Sequence, residues 1–290
     1  MKNVLLLTDF SNNAWNAIFA ALKMHEHTAC NFYLLNTYEP SFVNIFGAKS
    51  KERLGVIYDS LAKNSSIELD KILHYLDINH TNKNHVFQKC SVSNDVVNAV
   101  KDICKEKDID LIVMGTKGAT GAKEIFMGSN TVELIKMINS CPILAVPNTH
   151  DFKGLHKILF PTEFTKPYTK YELNPLIELA TTWNSEILIS LIAQEFMLSK
   201  DQIYNKEELI KRLGKIEYSI HKVEMQLSVA DSISRFAKES RADLIVLIKY
   251  EHTFIEKLSR EAVVKKVGFH AQIPLLVLPH EQDKIASDTK

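Results

Sequence analysis

The chain has 290 residues, enough for one large domain or two of ordinary size. Its 46% hydrophobic content can fill real cores and excludes a disordered chain. Lys and Arg number 35, as do Asp and Glu, so the zero net charge excludes a general binder of nucleic acid or anionic membrane and leaves room only for a local basic patch.

At the N-terminus, Met1-Lys2-Asn3 is followed by only four apolar residues before Thr8 and Asp9, too few for the core of a signal peptide. No apolar stretch approaches the ~20 residues of a membrane span. Cys30, Cys90, Cys104 and Cys141 form no CxxC pair and read as buried or partly buried structural thiols. A reduced cytoplasmic location is therefore expected.

In chain order, Val4–Leu7 is a short apolar strand. Ser11 is a natural N-cap for a helix whose Ala14, Ala17, Ile18, Ala21 and Leu22 share one face. Phe32–Leu35 is a second strand, residues 41–50 are irregular, and a long helix covers about Glu52–Leu76. Val86–Lys89 is a third strand, and Val96 through Cys104 mark the next helix. Ile109–Met114 is a fourth, buried strand. The last helix is expected near Asn130, where Asn130-x-x-Glu133 suits a capping box, and Ile143–Val146 is strand five. Near-continuous apolar strands alternating with helices predict a parallel sheet covered on both faces.

The second half repeats these landmarks. Ile158–Thr165 aligns with Val4–Ser11, Ala242–Leu247 with Ile109–Met114, and Pro274–Pro279 with Pro142–Pro147, in the same order. Its predicted elements are a helix over about Pro167–Trp183, a strand at Glu186–Leu191, a helix over Asp201–Gly214, a strand at His221–Leu227, and helices at Ser232–Glu239 and Arg260–Val267. Two homologous domains follow, residues 1–149 and 150–280, joined near Asn148–Gly154, with residues 281–290 a polar, fraying tail.

The richest segment is Gly115-Thr116-Lys117-Gly118, followed after nine residues by Gly128-Ser129. Glycines at a strand exit let a backbone approach a ligand, and a helix start offers free N–H groups to an anion. This G-x2-G-x9-G-[ST] spacing resembles the ATP-binding signature of the universal stress protein family. The opening Val4-Leu5-Leu6-Leu7-Thr8-Asp9-Phe10-Ser11 and the ending Cys141-Pro142-Ile143-Leu144-Ala145-Val146-Pro147 resemble that family's first strand and last strand. The resemblance spans nearly all of residues 1–149. It implies an α/β fold of two tandem five-stranded parallel sheets, strand order 3-2-1-4-5, with an adenine nucleotide where strands one and four part.

On that reading, Gly115 and Gly118 keep the loop clear of Cβ atoms, and Lys117 supplies charge to a phosphate. Gly128, Ser129, Asn130 and Thr131 present the helix N-terminus to phosphate oxygens. Asp9 matches the family's acidic residue near the adenosine, Thr8 flanks it, and Thr37 and Met114 are candidates for the adenine pocket. Other chemistries lack their motifs. Gly118 through Lys123 does not fit a Walker A loop, no G-x-G-x-x-G follows strand one, and no G-x-S-x-G occurs. His25-x-His27 has no partners at metal-like spacing. With no nucleophile–base pair, an enzyme is not expected, slow ATP hydrolysis aside.

In the second half Ile248, Glu251, Arg260 and Glu261 stand where Gly115, Gly118, Gly128 and Ser129 stand, and Glu163 replaces Asp9. One nucleotide per chain is therefore expected. The family resemblance implies edge pairing through strand five, here Ile143–Val146 against Leu275–Leu278, giving an intramolecular pseudo-dimer that could dimerise further. Segments 38–84 and 194–218 are candidate contact surfaces. The expected function is a cytoplasmic stress-response regulator that binds ATP, with or without Mg²⁺, in its N-terminal domain and signals to a protein partner. The alternatives are a nucleotide-independent scaffold and a slow ATPase or autokinase.

Overall fold

The computed structural model describes residues 1–40, 51–116, 127–193, 197–225, 228–249 and 273–280. The first half contributes β1 (Lys2–Leu7), α1 (Asn12–Met24), β2 (Cys30–Thr37), α2 (Lys51–Asn79), β3 (His85–Val92), α3 (Val96–Lys107), β4 (Leu111–Gly115), α4 (Ser129–Met137) and β5 (Ile143–Val146). The second contributes β6 (Lys157–Pro161), α5 (Lys170–Trp183), β7 (Glu186–Ala193), α6 (Lys200–Leu213), β8 (Tyr218–Glu224), α7 (Val229–Ser240), β9 (Leu244–Ile248) and β10 (Leu275–Leu278).

All ten strands form one sheet in the order β3-β2-β1-β4-β5-β10-β9-β6-β7-β8. Each half is parallel internally and has the order 3-2-1-4-5, the second read from the opposite side. At the seam β5 and β10 run antiparallel, pairing Ala145 with Leu275, Leu144 with Leu276 and Ile143 with Val277. The chain thus satisfies within itself an edge of backbone donors and acceptors that each half would otherwise leave bare.

Alternating strand residues feed two cores. One face holds Val4, Leu6, Phe32, Leu34 and Ile158 under α1, α2, α5 and α6. The other holds Leu5, Leu7, Leu35, Ile112 and Leu159 under α3, α4 and α7. The amphipathic spacing on each helix supplies the matching stripe, such as Val97, Val100, Ile103 and Cys104 on α3. Ser11 caps α1 as its position suggests, its Oγ accepting from Ala14 N at 3.2 Å.

The strand exits repeat in detail. Phe10 and Phe164 both adopt left-handed backbone, φ 64° and 54°. Thr8 Oγ1 accepts from Phe10 N and Thr162 Oγ1 from Phe164 N, both at 3.0 Å. Asp110 and Asp243 both clamp the start of their half's first strand, through Asn3 N at 2.8 Å and Lys157 N at 2.9 Å.

Several expected boundaries shift. The capping box at Asn130 does not form: the N-cap of α4 is Gly128, and Asn130 is already helical. The extended backbone of Gly128 ends the approach two residues earlier, without a side-chain cap. In the second half the first helix starts at Lys170 rather than Pro167, because Thr169 and Glu172 form a reciprocal capping box. The edge strand is Tyr218–Glu224 rather than His221–Leu227, since register with β7 runs from Ile187–Tyr218 to Ala193–Glu224. The region 41–50, the helix at Arg260–Val267 and the tail 281–290 lie outside the described residues. No helix among the described residues is long and apolar enough to cross a membrane.

Candidate functional site

At the carboxyl ends of β1 and β4, where crossovers leave to opposite sides, the structure holds a cleft of about 490 Å³. Such a switch point is where open α/β sheets take ligands, and the volume is in the usual range for small-molecule pockets. Thr8, Asp9, Thr37, Met114, Gly115, Gly128, Ser129, Asn130 and Thr131 all line it. Residues scattered over 120 positions of sequence therefore converge on one concavity. Lys117 and Gly118 lie outside the described residues.

The floor is the exit of β1. Thr8 N donates to Leu35 O at 2.9 Å, and Asn36 Nδ2 donates to Thr8 O at 2.8 Å. The left-handed turn at Phe10 then lets Asp9 project outward, where it is exposed and its Oδ1 accepts from Ser11 N at 3.1 Å. That bond holds the carboxylate beside the mouth as an acceptor for hydroxyl or amino groups. Asn36, Ala14 and Val96 also line the cleft and were not singled out from the sequence. Asn36 had a readable signal: it is a polar residue in the apolar run Phe32-Tyr33-Leu34-Leu35 just before Thr37.

The far wall is the start of α4. Thr116 N bonds Val146 O at 2.9 Å, and Gly128 N bonds Thr116 O at 2.6 Å, so the segment leaving β4 returns to its own root before the helix begins. The N–H groups of Ser129, Asn130 and Thr131 belong to the first turn and have no intrahelical acceptor. No side chain caps this end, and its first turn carries no acidic residue. The dipole therefore presents positive potential to the cleft. Thr131 is buried and its hydroxyl donates to Gly115 O at 3.1 Å, which ties the helix to the strand end. That hydroxyl is spent on structure, so Thr131 offers a ligand its backbone rather than its side chain.

Gly115 has a different role from the one expected. A Cβ there would meet Asn13 Nδ2 at 2.2 Å and Asn13 Cγ at 2.7 Å. The absent side chain makes room for the buried Asn13 of α1, not for a ligand, although the Gly115 backbone still borders the cleft.

The corresponding place in the second half carries different residues. Ile248 occupies the position of Gly115, since Ile248 pairs with Leu278 as Gly115 pairs with Val146. Because α5 starts later after its strand than α1 does, Tyr168 lies in the approach to the helix and is buried in the core, where its hydroxyl meets Thr162 Oγ1. Burial pushes the Tyr168 phenol up, so it stays neutral. From α6, Gln202 Nε2 holds Glu163 O at 2.8 Å and Asn205 Nδ2 holds Phe164 O at 2.9 Å. Glu251, Arg260 and Glu261 lie outside the described residues.

Residues 1–147 match the model of the universal stress protein family. The chain belongs to this family. As a universal stress protein it resembles in fold one from Archaeoglobus fulgidus DSM 4304, with a TM-score of 0.70 and 16% identity over 97% of both chains. A putative universal stress protein from Pseudomonas aeruginosa UCBPP-PA14 gives a TM-score of 0.61 at 12% identity, covering 99% of this chain and 96% of that one. Among curated proteins, the Na(+)/H(+) antiporter NhaS5 of Synechocystis is 28% identical over 78 residues, which span 27% of this chain and only 11% of the antiporter.

Proposed function

We propose that this universal stress protein is a non-enzymatic regulator that binds one adenine nucleotide per chain, in the cleft between β1 and β4, and reports its occupancy to a protein partner in the stress response of the cytoplasm. The observation that carries the reading is the convergence of nine candidate residues on that cleft, facing a helix N-terminus that no side chain caps. The polarity of the cleft fits such a ligand. The α4 N–H groups suit the phosphates, whereas Asp9, an acceptor only, suits ribose hydroxyls or an amino group. Phosphate charge would be met by the backbone N–H groups at the start of α4, by Lys117 as the sequence suggests, and by Mg²⁺ accompanying ATP. Ile248 and Tyr168 support restricting the nucleotide to the first half.

Calorimetric titration with Mg-ATP, beside a Gly128→Glu variant, tests the reading. The expected result is one site per chain, weakened at least tenfold in the variant, where a carboxylate meets the phosphates at the helix start. Absence of binding in the unaltered protein would shift the function to a constitutive scaffold. Multiple-turnover phosphate release would shift it to a slow ATPase.

A further inference from the structure

Outside the cleft, the first half carries a pair of buried thiols. Cys104 lies in the last turn of α3 and Cys141 two residues before β5, 37 residues later, and their sulfurs are 3.8 Å apart. A disulfide needs about 2 Å, so the two sulfurs would have to close by a little under 2 Å to bond. The second half shows that the fold itself does not call for thiols here. Ala237 O accepts from Ala242 N just as Cys104 O accepts from Ile109 N, and Pro274 O accepts from Ile245 N just as Pro142 O accepts from Ile112 N. Those matches place Ala237 and Ile273 at the positions of Cys104 and Cys141, so an alanine and an isoleucine pack the same place.

One of the two buried thiols borders a cavity. Cys141 lines a second cleft, of about 310 Å³, formed between the halves by Lys2, Asp110 and Ser140 on one side and Tyr171, Glu172 and Glu178 on the other. Its polar walls admit small polar molecules. The two remaining thiols are poor candidates: burial pushes Cys30 up to about 11 and also raises Cys90. Cys104 moves the other way, because hydrogen bonds to its sulfur from Cys141 and Ser140 favour the thiolate against the cost of burial.

We propose that Cys104 and Cys141 are an oxidation site, converted to a disulfide by a small hydroperoxide entering through the cleft between the halves. The Cys141 sulfur attacks the distal peroxide oxygen, the O–O bond breaks, and the departing oxygen leaves as water or alcohol after taking a proton. The resulting sulfenic acid on Cys141 is attacked by the Cys104 thiolate. The S–S bond forms as the S–O bond breaks, and the departing hydroxide becomes water with the proton that the Cys104 thiol gave up. One hydroperoxide is reduced and two thiols are oxidised. The new bond fastens the end of α3 to the root of β5, the strand that carries the seam between the halves.

The test treats the full-length protein with hydrogen peroxide, alkylates the remaining thiols under denaturing conditions, and maps the peptides by mass spectrometry. Loss of two of the four thiols, a linked Cys104–Cys141 peptide and recovery of all four thiols with reductant are expected. A Cys30→Ala/Cys90→Ala variant should oxidise at the same rate. Cys104→Ala should stop at a sulfenic acid on Cys141 that dimedone captures. A Cys104→Ala/Cys141→Ile variant, patterned on the second half, should fold and lose no thiol. Alkylation of both Cys104 and Cys141 after peroxide, or a linkage that involves Cys30 or Cys90, would overturn the proposal.

Discussion

A methyl group added at Gly115 would land 2.2 Å from the Asn13 amide, whose buried side chain has little room to retreat. Gly115→Ala is expected to destabilise the protein by about 1–3 kcal/mol, read by urea unfolding, as overpacking of a tight site does. Gly128→Glu is a contrasting case: partly exposed at a helix start, it should change binding while leaving stability within about 0.5 kcal/mol. His25 shows how a buried residue sets a pH limit. Its Nδ1 lies 3.1 Å from Ala21 O, and burial, opposed chiefly by that hydrogen bond and less by Glu178 and aided by Lys2 and His85, lowers its pKa to about 4. Protons therefore bind the unfolded chain, near 6.5, more readily than the folded one, and stability falls as pH drops from about 6.5 toward 4. Between pH 7 and pH 5 this residue alone should cost about 2 kcal/mol. His25→Gln should flatten the pH dependence of urea unfolding by that amount.

At the scale of single elements, α4 is held from both ends. Its N-terminus faces the cleft, and at its C-terminal end Lys249, from the exit of β9 in the other half, donates to Lys136 O at 2.5 Å and to Asn139 Oδ1. A cation at a helix C-terminus satisfies bare carbonyls and complements the dipole. Lys249→Met should loosen α4 by about 0.3–1 kcal/mol, seen as faster amide exchange over residues 129–137, and the nucleotide proposed for the first half should bind more weakly in proportion. The elements themselves were largely legible from sequence, because buried strands such as Leu111–Met114 are nearly unbroken apolar runs. The convergence of Asp9 with the glycine segment was legible only through the family resemblance, which implied the strand order that sets β1 beside β4. What stayed hidden depends on contacts between distant residues. Asn13 beneath Gly115, Tyr168 on Thr162 and Lys249 on α4 each join positions whose proximity no local pattern encodes. The edge strand β8 was misplaced for a related reason: its exposed and half-buried residues leave register to its neighbour.

For the whole molecule, the seam decides whether the halves act as one body. Besides β5 and β10 it includes the Lys2–Glu178 ion pair at 2.7 Å, and Trp183 Nε1 donating to Met24 O at 3.0 Å. The chain should unfold in a single transition. Leu276→Asp puts a charge at a residue 1% exposed, opposite Leu144, and should split that transition in two in a denaturant titration followed by tryptophan fluorescence and circular dichroism. The antiparallel sense of the same pairing has a directional consequence. Since β5 follows β4 and β10 follows β9, the strands of the two halves point opposite ways, and so do the loops at their carboxyl ends. The molecule has a front and a back: the first-half cleft opens on one, and the second-half strand exits at Thr162 and Ile248 lie on the other. Two visitors, each drawn to the strand exits of one half, would arrive from opposite sides and could be held at once without blocking each other.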